Sequence, residues 1–140
     1  MTPLRKATLL STSAGSVELQ LERGWRARVS LIDGHGGRFT LLPPDGFREP
    51  RTWALDPDGQ FPIEGRRRDG VSTADARTTV ARDGDVIVLA GTHLRARIAL
   101  HPFAVTWQQR DGHDQWQFCC GDRDESYAYG VSERSGTLTH

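Results

Sequence analysis

Four carboxylates crowd one stretch of the chain: Asp122, Asp124, Glu125 and Glu133. Hydrolysis of a glycosidic bond needs two facing carboxyls about 5–9 Å apart. Nothing in the spacing brings two of these across a cleft, so they read as solvated loop carboxylates. His35-Gly36-Gly37 can offer backbone N–H groups to an oxyanion, but that chemistry requires a Gly-x-Ser-x-Gly elbow on a strand–turn–helix. The sequence has neither, and the glycines read as a hairpin turn. Arg66-Arg67-Arg68 could grip a phosphate through guanidinium forks. Flanked by Glu64 and Asp69, it reads instead as a solvated, ion-paired loop. The histidines are scattered, no two have metal-ligand spacing, and the adjacent Cys119 and Cys120 make no zinc pattern. No catalytic residue, metal or cofactor is therefore expected.

The aromatic residues point further. Trp107, Trp116 and Phe118 alternate as core positions would. Trp53 sits in a Pro/Gly-rich stretch beside Arg51 and Asp56; such a ring can stack on a sugar or plug the end of a sandwich. Neighbours on a strand face opposite ways, so a disulfide between Cys119 and Cys120 is geometrically poor. One buried and one exposed thiol in a reducing, cytoplasmic compartment is the expectation.

The elements that must position these groups are strands. Val17, Leu19 and Leu21 alternate with polar residues, and Ala27, Val29 and Leu31 continue after an Arg23-Gly24 turn. Leu94, Ala96, Ile98 and Leu100 repeat the pattern, as do Phe103, Val105 and Trp107. Each is a half-buried strand with one wet face. Val86 to Ala90 is continuously apolar, which predicts a strand covered on both faces. Asp83-Gly84 and Asp111-Gly112 predict two hairpin turns and Gly91-Thr92 a third tight connection. Residues 76–120 thus read as a four-strand antiparallel meander. Pro43, Pro44, Pro50, Pro57 and Pro62 mark an insertion at about 43–75 that is no strand ladder. The fold class expected is all-β, a single antiparallel sandwich over residues 1–140.

Composition bounds the function. Eighteen basic residues balance eighteen acidic ones, which argues against a broad electrostatic grip on nucleic acid or anionic lipid. No stretch approaches the roughly 18 apolar residues of a membrane helix. The start, Met1 to Lys6, leads into no long apolar run, so a secretory signal is not expected. There is no Asn, which removes N-glycosylation.

Three segments carry a resemblance. The segment Tyr127–Leu138 (YAYGVSERSGTL) resembles the Tyr-Gly-Leu-Gly-Glu-(Arg/Lys)-x-Gly-x-Leu signature of family 31 glycoside hydrolases, the α-glucosidase family. Tyr129, Gly130, Glu133, Arg134, Gly136 and Leu138 match, Val131 stands for Leu, and Ser132 replaces the second Gly. Upstream, Gly46–Pro57 (GFREPRTWALDP), followed by Glu64-Gly65-Arg66, is similar to a bacterial subgroup, and Leu100–Val105 (LHPFAV) resembles its Pro-Phe-then-strand element. Together these span roughly residues 20–138. The resemblance implies an N-terminal β-sandwich of the galactose mutarotase-like supersandwich type, in partial form, preceding a catalytic (β/α)8 barrel. The family's catalytic Asp residues lie on that barrel and have no counterpart here. The implied role is support of the barrel and bordering of its sugar pocket, with Trp53, Arg51, Glu133 and Arg134 next to the substrate. The chain then reads as a fragment of a larger glycosidase, inactive alone. Its implied partners are the barrel and an oligosaccharide or α-glucoside, and self-association through an exposed strand edge is expected. A free-standing carbohydrate-binding sandwich and a mutarotase-like enzyme are the alternatives.

Overall fold

The computed structural model describes residues 2–32, 36–44, 77–123, 126–131 and 138–139. The insertion expected at about 43–75 lies almost wholly outside them. The elements are β1 (Thr2–Pro3), β2 (Ala7–Ser13), β3 (Ser16–Leu21), β4 (Arg26–Ile32), β5 (Gly36–Leu42), β6 (Thr79–Asp83), β7 (Val86–Ala90), β8 (Leu94–Leu100), β9 (Phe103–Arg110), β10 (Trp116–Gly121), β11 (Ala128–Val131) and β12 (Leu138–Thr139). A single 3-10 turn, Glu22–Gly24, is the one helical element among the described residues.

Strands β2-β3-β4-β5 form one antiparallel sheet and β10-β9-β8-β7-β6 a second, with a small third sheet in the order β1-β11-β12. The molecule is an all-β antiparallel sandwich. Period-2 patterning explains the packing. Val17 and Leu19 on β3, Val29 and Leu31 on β4, Ile87 and Leu89 on β7, and Ala96 and Ile98 on β8 are fully buried in one cluster. Each such Val, Leu or Ile side chain taken from water contributes about 1.5–3 kcal/mol in transfer terms. The N-terminal segment ties the layers together. The Leu4 N–H donates to the Tyr127 carbonyl at 2.8 Å, and the Phe103 N–H donates to the Arg5 carbonyl at 2.7 Å.

Several expectations need correction. The meander of residues 79–121 has five strands, not four. Its first turn pairs Asp83 with Val86, so the loop is Gly84-Asp85, one residue later than expected. Gly84 has φ +56°, the position a type II′ hairpin reserves for Gly. The β9–β10 connection is not a two-residue Asp-Gly turn but a five-residue loop from Asp111 to Gln115, because Arg110 pairs with Trp116. The Asp111 carboxylate holds that loop. It accepts the His113 and Gln115 N–H groups at 2.8 and 2.9 Å and the Gln117 side-chain amide at 3.0 Å. Strand β7 is not covered on both faces: Ile87 and Leu89 are buried, whereas Val86, Val88 and Ala90 are half-buried on the outer face. Strand β2 went unforeseen because Leu9-Leu10 breaks the alternation. A bulge there shifts the register between Leu9 and Ser11, leaving Leu10 exposed.

Candidate functional site

Trp53, Arg51, Glu133 and Arg134, the residues expected beside a substrate, lie outside the described residues, as do His35, the Arg66–Arg68 run, Asp124 and Glu125. The other candidates can be placed. Gly36 and Gly37 do not form a turn or an anion loop; they open strand β5. A Cβ on Gly37 would lie 2.4 Å from a Trp107 ring carbon. The glycine therefore makes room for an indole that reaches across from the other sheet.

Asp122 is a structural clamp. Its Oδ2 accepts the Val105 N–H at 2.6 Å and the Tyr127 hydroxyl at 2.7 Å. The Tyr127 ring stacks on Phe39, centroids 4.7 Å apart, and lies 5.1 Å from Phe103 at a tilt. Desolvation, followed by the hydrogen bond and charge of Asp122, raises the Tyr127 phenol far above its usual range. Tyr127 thus stays protonated and serves as a donor. Two further acidic groups are similarly occupied. Glu18 binds Arg26 at 3.1 Å and Arg28 at 3.5 Å across β3–β4. Glu22 accepts the Arg5 and Lys6 N–H groups at 2.6 and 3.2 Å.

Trp116 and Phe118 are not core residues. Both lie on the outer face of the five-stranded sheet, opposite Arg110 and Gln108. The Arg95 guanidinium sits 4.6 Å from the Trp116 ring centroid and that of Arg110 4.7 Å away. Arg95 also donates to the Gln108 side-chain carbonyl at 2.7 Å, and Arg110 pairs with Asp114 at 3.1 Å. Desolvation, then Arg97 and Arg110, lower the Arg95 pKa, yet a guanidinium keeps its charge in proteins. Phe118 beside this cluster is 68% exposed. The patch offers guanidinium donors, a carboxamide and aromatic surface, which suits binding of a polar or planar group. Among the described residues it contains no nucleophile, and the Asp114 carboxylate beside it is held by Arg110. Its sequence signal is Arg95 and Arg97 alternating with Ala96 and Ile98, which marks the outer face of β8.

Both cysteines are free and exposed, correcting the expected buried–exposed split. Among the described residues no group of three His, Cys, Asp or Glu side chains could hold a metal ion, and no helix is long and apolar enough to cross a membrane. Neither models of known protein families nor the curated proteins yield a match to this sequence.

Proposed function

We propose that this chain is the non-catalytic N-terminal sandwich of an α-glucosidase-type glycoside hydrolase, supporting a catalytic barrel and bordering its sugar pocket. The observation that carries the reading is the use made of Tyr127 and Asp122. At the head of the segment resembling the family signature, Tyr127 is locked between Phe39 and Phe103 and bonded to Asp122. The head of that segment is therefore anchored as architecture, and Asp122 is committed to holding Tyr127. The contacts of Glu18, Glu22 and Asp111 are likewise structural. A cytoplasmic setting suits two exposed free thiols. The test is turnover of an aryl α-glucoside at pH 5–7 by the 140-residue chain. No release above buffer is expected, and activity that survives repurification overturns the reading.

A second reading, a carbohydrate-binding module, is favoured by the exposed Phe118 beside the Arg95–Trp116–Arg110 cluster. Calorimetry with maltose, isomaltose and xylosyl oligosaccharides separates the two. Millimolar or tighter binding lost in Phe118→Ala or Trp53→Ala supports the module; the absence of heat favours the supporting domain.

A further inference from the structure

The register of β10 on β9 places two thiols together. Phe118 pairs with Gln108 and Gly121 with Thr106, whereas Cys120 pairs with Trp107 and Cys119 is the extra residue of a bulge. Gln108 and Thr106 share the outer face of β9, two residues apart, so Phe118 and Gly121 share it too. A Cβ on Gly121 would lie 3.4 Å from the Phe118 ring and 3.3 Å from the Thr106 hydroxyl, an independent sign that these positions are cofacial. In an unbroken strand one residue separates two positions on the same face. Here two do, and two bulged residues oppose one partner residue. Cys119 and Cys120 therefore lie together on the opposite face, and both are exposed.

We propose that Cys119 and Cys120 form a vicinal dithiol site that chelates a trivalent arsenical or a similar thiophilic centre with two exchangeable positions. Trivalent arsenic bearing one organic group is completed by two sulfurs. A structural zinc ion needs about four ligands, and the described residues supply no third His, Cys, Asp or Glu to such a group. A disulfide within the pair is the poorer outcome, since adjacent Cα atoms are about 3.8 Å apart and disulfides usually span about 4.4–6.8 Å. The chelating step is a condensation without redox change. Two S–H bonds and the arsenic–oxygen double bond break, two As–S bonds form, and the two protons leave with the oxygen as water. Desolvation, then the neighbouring Cys119 and the charge of Asp122, raise the Cys120 pKa, so Cys120 starts as a thiol and condensation accelerates with pH.

The test uses the full reduced chain with phenylarsine oxide, read by intact mass. The expected result is one arsenical per chain with loss of one water. This adduct should resist excess glutathione, a monothiol, but yield to dimercaptopropanol, a dithiol. Cys119→Ser and Cys120→Ser, checked for folding by circular dichroism, should each cut retention under glutathione at least tenfold. The proposal is overturned if wild type and single variants are stripped alike by glutathione, or if one arsenic joins two chains.

Discussion

Replacing Gly37 by Ala adds a single methyl group where the two sheets touch. The new carbon would sit 2.4, 2.6 and 2.9 Å from three ring carbons of Trp107, whereas carbon contacts are optimal at about 3.5–4.0 Å. Restoring contact distance requires the indole or the β5 backbone to move by about 1 Å. Trp107 is rigid and half-buried between Thr106 and Gln108 on β9, so the ring cannot swing aside as a flexible chain end would. Overpacking of this kind costs about 1–3 kcal/mol. Against it stands the lower unfolded-state entropy of Ala, worth about 0.4–1 kcal/mol. The net loss is about 1–2 kcal/mol. At roughly 3–4 °C per kcal/mol for a domain of this size, Tm should fall by about 3–8 °C. Thermal and urea unfolding of wild type, Gly37→Ala, Trp107→Leu and the double variant form a cycle. The methyl should cost little once the indole is gone, giving a coupling of about 1 kcal/mol or more. If Gly37→Ala is neutral or stabilising, or if the two changes simply add, the close approach of Trp107 is not the reason for a glycine there.

Other expectations follow from single groups. The Tyr127 phenol is raised in the folded state, so its contribution is complete below the unfolded tyrosine value of about 10 and is lost as pH climbs beyond it. Absorbance titration should show one tyrosine ionising only with alkaline unfolding, and Tyr127→Phe, which deletes the bond to Asp122, should cost about 1.5–3 kcal/mol. The backbone N–H of Gln115, then the Gln117 amide and the His113 N–H, hold Asp111 below the usual carboxylate range. Its stabilising effect is therefore present above about pH 3.9 and fades as pH falls through its lowered value. Carboxyl NMR should find Asp111 titrating below the usual carboxylate range, and Asp111→Ala should speed amide exchange in residues 111–115 without unfolding the core.

The strand core was legible because alternation alone decides which side chains meet. Val17, Leu19, Val29, Leu31, Ile87, Leu89, Ile98 and Val105 are all fully buried. Faces were misassigned where a turn length had to be guessed. A two-residue Asp111-Gly112 loop would set Trp116 opposite Trp107 and send it to the core. The actual loop sets it opposite Arg110, three positions along β9 from Trp107. An odd step of this kind turns every following side chain to the other face, which is why Trp116 and Phe118 lie outside. The same dependence hid the outer cluster of Arg95, Arg110 and Trp116. The thiol pair was hidden for a different reason: a bulge is a property of two strands together, and strict alternation places Cys119 and Cys120 on opposite sides. Gly37 was misread because its need for space arises from a residue seventy positions away in the chain.

The outer faces of the two sheets are composed on different principles. On the four-stranded sheet, Glu18 bonds Arg26 and Arg28, cross-strand pairs worth about 0.2–1 kcal/mol each. That arrangement pairs one carboxylate with two guanidiniums of the neighbouring strand. On the five-stranded sheet, Val86, Val88, Ala90, Ala99 and Ala104 share the outer face with Arg95, Arg97, Arg110, Trp116 and Phe118. Small apolar side chains lie on β7 and at the turn between β8 and β9, arginines on β8 and β9, and aromatics on β10. Interfaces enrich arginine and aromatic residues in the same way relative to ordinary surface. Under the proposed function, this composition favours the five-stranded sheet as the side for the barrel. The aromatic and guanidinium groups near β10 would then border the joint.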